Sequence, residues 1–121
     1  NLAHSGGLDG ATYTDHTGMM GNPVYGDDNG RMCYNAAKNY QLPWYNGRKL
    51  LISPLNESSN WTKNVTMIGI ADSLAPSAHP DHPVTIKLET NTPQDYFVGF
   101  NRATGANADN DQADDLVTIT Q

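Results

Sequence analysis

Thr17-Gly18-Met19-Met20-Gly21 and, ahead of it, Asn1-Leu2-Ala3-His4-Ser5-Gly6-Gly7 are the two short runs on which the reading of this chain turns. A methionine pair between glycines predicts a tight apolar turn, because glycine admits close backbone approach and a thioether is flexible and polarizable. From Ser5 to Tyr13 the chain has three glycines and almost no apolar periodicity, so it reads as an irregular loop. Asp15, His16 and Thr17 lead into the turn.

His4 also fits the last histidine of the pattern H-E-x-x-H-x-x-G-x-x-H, which is followed downstream by a Met-bearing turn in the metzincin proteases. Two histidines one helical turn apart bind zinc from one helix face, and the chain must then leave sharply for a third imidazole to close the site. Asn1, three residues before His4, stands at that exit, where a left-handed conformation is needed and Asn is the next most tolerant residue after Gly. Either Met19 or Met20 can form the apolar floor. H-E-x-x-H and Q-E-x-x-H occur nowhere in the 121 residues. Two zinc ligands and the general-base glutamate would therefore have to lie upstream, since one imidazole cannot hold a catalytic zinc.

The neighbouring runs carry a more specific likeness. Tyr13-Thr14-Asp15-His16-Thr17-Gly18-Met19-Met20-Gly21, then Met32-Cys33-Tyr34-Asn35-Ala36-Ala37, the helix after them, and Trp44-Tyr45, together with Asp95-Tyr96-Phe97-Val98-Gly99-Phe100-Asn101-Arg102-Ala103-Thr104-Gly105-Ala106-Asn107, resemble the gametolysin family of secreted zinc metallopeptidases. The resemblance implies that Met20, beside Gly21, is the floor methionine and that His4 is a zinc ligand. It makes His16 a variable position, expected to face solvent rather than bind metal, and the helix structural. It implies an extracellular or cell-wall setting, with protein substrates or matrix proteins as partners. Without the upstream motif, the chain alone is expected to be inactive.

Composition bounds the remaining readings. Thirteen acidic against seven basic side chains, a formal charge of -6, argue against nucleic acid, which needs clustered Lys and Arg. No run of about eighteen apolar residues marks a membrane span. Three N-x-[ST] sequons, at Asn56, Asn60 and Asn64, predict a secreted surface carrying N-linked glycans. Cys33 is the lone cysteine. It reads either as half of a disulfide whose partner lies upstream or as a buried free thiol.

Periodicity predicts a mostly β, α+β chain in two parts. Residues 1–47 form the C-terminal, metzincin-like part of a catalytic domain, with loops, the Met turn and one helix. Residues 48–121, after the Asn46-Gly47 turn, form a small antiparallel β-sandwich. The helix is expected over 31–42, with Cys33, Ala37, Tyr40 and Trp44 on its packed face and Asn35, Lys38 and Asn39 toward water, ending at Pro43. Strands are expected at 49–52, 65–70, 84–89, 96–100 and 116–119.

Other polar clusters read as ordinary surface. Asp27-Asp28-Asn29, Asp109-Asn110-Asp111 and Asp114-Asp115 offer oxygens to calcium but lack the spacing of a calcium loop, so they are expected to be solvated turns. His79-Pro80-Asp81-His82-Pro83 reads as a stiff exposed turn rather than a metal site, and Asn101-Arg102 as a turn anchor. Two functions follow: part of a secreted zinc endopeptidase, or a non-catalytic matrix glycoprotein that keeps the fold.

Overall fold

A computed structural model describes residues 2–7, 10–22, 31–53, 61–110 and 112–121. Asn1, the sequons at Asn56 and Asn60, Asp27-Asp28-Asn29 and Asp111 lie outside the described residues. The fold is a small α+β arrangement of one four-stranded sheet and few helices. Strand β1 is Lys49–Ile52, β2 Thr85–Leu88, β3 Tyr96–Asn101 and β4 Leu116–Thr120. Their spatial order follows the chain, with β1 and β2 parallel and the other pairs antiparallel.

That arrangement corrects the expected antiparallel sandwich. Alternation in a strand tells which side chains share a face but not which neighbour it pairs with. The long connection between Ile52 and Thr85 is what a parallel crossover requires. Among the described residues no strand forms at 65–70, although Met67, Ile68 and Ile70 are half-buried there. Ile68 N donates to Pro83 O at 3.1 Å. Pro83 has no N–H to give back, so a ladder cannot continue through it.

Helix α1, Ala36–Gln41, lies across the sheet. Its start is later than expected because Asn35 is the N-cap: the Asn35 side chain accepts from Lys38 N at 3.0 Å, leaving residues 31–35 outside the helix. Leu42 is extended, and a 3-10 turn at Pro43–Arg48 then redirects the chain. Trp44 is consequently exposed rather than packed. Lys38 and Asn39, expected toward water, are buried together with Ala36 and Ala37.

The sheet meets α1 through its less apolar face. An added Cβ at Gly99 would lie 2.9 Å from Ala36 Cβ, which requires the smallest residue at this crossing. Thr85, fully buried, donates its hydroxyl to Ala36 O at 2.9 Å, and Ala37 N donates to Thr120 Oγ1 at 3.2 Å. Tyr40 packs on Phe97, and Lys49 Nζ lies over the Tyr40 ring, 5.4 Å from its centre. On the opposite face Ile52 and Ile86 are buried; across both faces the buried apolar residues are these two with Val84, Met32, Ala36 and Ala37. Both sides of residue 47 thus contribute to it.

Candidate functional site

Asp15 organises the methionine turn. Its carboxylate accepts from Thr17 N at 2.8 Å, from the Thr17 hydroxyl, and from Asn35 Nδ2 at 2.7 Å. Its carbonyl accepts from Asn22 N at 2.7 Å. Gly21 sits so close to that carbonyl that an added Cβ would lie 1.9 Å from the oxygen, which only glycine avoids. Met20 is half-buried and Met19 more exposed. His16 is half-buried, with its Nε2 3.2 Å from Asn22 Nδ2, rather than simply facing solvent.

His4 is held beside this turn. Ser5 N donates to Met20 O at 2.8 Å, so the loop carrying the imidazole is tied by its backbone to the methionine implicated with it. Asn35 Nδ2 also reaches Ser5 Oγ at 3.2 Å. The His4 ring is exposed and packs against Tyr13, with centroids 4.3 Å apart and Nε2 3.1 Å from the phenol oxygen. Tyr13 holds a positive φ of 68°, an uncommon conformation for a bulky residue, in presenting that hydroxyl. The imidazole therefore has a phenolic neighbour that spacing alone did not reveal.

Cys33 is where the distant motif stretches meet. Met19 N donates to Cys33 O at 3.1 Å, and Cys33 N donates to Asn107 Oδ1 at 2.9 Å. Asn107, fully buried, passes its amide on to Asn101 Oδ1 at 2.8 Å and Arg102 O at 3.1 Å. Asn101 in turn donates to Gln112 O and Ala113 O. Arg102 bonds Asp72 at 3.2 Å and Asp115 at 2.8 Å. Asn101-Arg102 is thus the expected anchor, and Asn110, Asp114 and Asp115 are engaged in internal bonds rather than simply solvated. Cys33 itself is a half-buried free thiol, and burial raises its pKa.

Among the described residues no three His, Cys, Asp or Glu side chains converge on a point that could hold a metal. His4 brings one imidazole, and its nearest polar partner is a phenol, so the residues present do not by themselves fit a catalytic zinc, which takes three protein ligands. His79 and His82 stack face to face at 4.4 Å in the turn around Arg48. No helix among the described residues is long and apolar enough to cross a membrane. Asn64, in the third sequon, is exposed. No family model, curated protein or solved structure matches the chain.

Proposed function

We propose that this chain is the C-terminal portion of a secreted, glycosylated zinc metalloendopeptidase resembling gametolysin, acting on extracellular or cell-wall proteins. The observation that supports it is the bond from Ser5 N to Met20 O, which joins the histidine loop and the methionine turn that the metzincin pattern pairs. In this reading His4 is the one zinc ligand the chain supplies. Its Tyr13 partner restricts the ring, and Asp15 and Asn35 keep the turn in place beneath the loop. The other ligands and the general base belong to a segment preceding Asn1, which the reading requires.

The second reading, a non-catalytic matrix glycoprotein, has in its favour the exposed sequon at Asn64. The coding sequence ahead of Asn1 separates the two. An H-E-x-x-H or Q-E-x-x-H ending three residues before Asn1 is expected. Protein expressed from that longer sequence should retain zinc and cleave protein, and His4→Ala should lose both. Zinc kept in full by the His4→Ala protein would remove His4 from the site.

A further inference from the structure

Asn46 differs from the other described asparagines in what surrounds its side chain. Asn35, Asn39, Asn101, Asn107 and Asn110 are buried, and each commits its side-chain amide to hydrogen bonds. Asn22 is half-buried and is followed by Pro23, which has no N–H. Asn64 and Asn91 are exposed, but the β-branched Val65 and Thr92 crowd the next peptide nitrogen. Asn46 is exposed, its side chain makes no hydrogen bond among the described residues, and its successor is Gly47. Because residue 48 is Arg, it is no glycan sequon.

The backbone there is equally open. Gly47 is exposed, and a Cβ added to it would meet no heavy atom within 4 Å. The 3-10 segment Pro43–Arg48 is broken at Tyr45, whose φ of -117° and ψ of 27° are not helical, and none of its residues is buried. Asn46, Gly47 and Arg48 therefore form one short surface turn behind a kink, a type of segment that opens locally at little cost. Once it opens, the side-chain carbonyl carbon of Asn46 and the Gly47 nitrogen can close a five-membered ring, with no side chain on residue 47 in the way.

We infer that Asn46 is a site of spontaneous covalent modification, converting to isoaspartate and aspartate through a succinimide. The Gly47 nitrogen gives its proton to hydroxide and attacks Asn46 Cγ. As that C–N bond forms, the bond from Cγ to the side-chain nitrogen breaks, and the departing amide takes a proton from water to leave as ammonia. Water then opens the ring at either carbonyl, giving aspartate or, with one more carbon in the main chain, isoaspartate. The lengthened chain falls just before β1, beside Arg48, whose guanidinium holds the carbonyls of Ser73, His79 and His82 and whose own carbonyl accepts from Val84 N. Modification at Asn46 therefore loosens the start of the sheet and the turn packed on it. The inference rests on neither zinc nor His4.

To test it, the full chain, produced without glycans, is aged in mildly acid and mildly alkaline buffer and digested with trypsin. Its asparagines are followed by mass spectrometry with electron-transfer fragmentation, which separates isoaspartate from aspartate. A second Asn-Gly pair, Asn29-Gly30, lies outside the described residues, and cleavage at Arg31, Lys38 and Arg48 puts it on a different peptide from Asn46. Conversion at Asn46 is expected to give both products, to quicken in alkali, and to run about tenfold faster than at Asn64 or Asn91. Gly47→Ala, which the open space accommodates, should slow it by about tenfold. A rate at Asn46 no greater than at Asn64 or Asn91, aspartate without isoaspartate, or an unchanged rate in Gly47→Ala would overturn the inference.

Discussion

The turn at 15–21 and the turn at 101–110 both grip Cys33, one through its carbonyl and the other through its N–H, but they are built to opposite ends. Around Asn107 the polar groups face inward: its amide is fully buried and spans three partners. Around His4 the backbone is tied down while the imidazole stays exposed. A closed network of this kind holds a fold together, whereas fixed backbone with open side chains is what a binding or catalytic surface needs.

The largest expected effect is on the closed side. Asn107→Ala strands the Cys33 N–H and Asn101 Oδ1 in the interior, and should lower stability by about 3 kcal/mol in urea unfolding. Asn35→Ala should cost less, about 2 kcal/mol, combining the lost helix cap with the loss of a donor to Asp15. If the two losses were reversed in size, the contrast between the turns would fail.

A smaller effect is expected in acid. Hydrogen bonding from Arg102, then from the Ala103 backbone, lowers the Asp115 pKa. A depressed carboxylate contributes stability that is present above its unfolded value and is lost as pH falls through its folded one. Unfolding midpoints of Asp115→Asn and wild type should therefore converge as pH drops below about 4, and differ only slightly above it because the pair is exposed. His4→Ala is the smallest: within about 0.5 kcal/mol of wild type, since the ring is exposed. A large loss of stability there would make His4 a structural residue.

Much of the sheet is legible in the sequence, β1 as a short apolar run with its ends at Lys49 and Ile52 and β2 from its period-two alternation. The exception at 65–70 had the right side chains but met Pro83, and local pattern does not say what a segment will lie beside. Thr85 is the polar residue between the apolar Val84 and Ile86, yet α1 covers its face and it is the more deeply enclosed. Lys38 and Asn39 misled for a related reason: a six-residue helix resting on a sheet is enclosed on more than one side, so polarity no longer marks the wet face. In the site, the sequence pattern pairs His4 with the methionine turn through a metal, whereas the bond the structure shows is between the Ser5 and Met20 backbones. Nothing in the spacing of residues 19, 33 and 107 announces that they meet at Cys33, because long-range hydrogen bonds leave no periodic trace. Asn35 had a visible cue as a capping residue ahead of Ala36, obscured by starting the helix at Arg31.

The attachment of the histidine loop to the methionine turn is tested most directly by the through-bond scalar coupling between the Ser5 amide nitrogen and the Met20 carbonyl carbon, measured by NMR on the doubly labelled chain. A resolved coupling, with cross-peaks from the His4 ring to Tyr13, is expected. No coupling, with a Ser5 amide that exchanges as freely as an open loop, would separate the imidazole from the turn and leave the protease reading without its structural support.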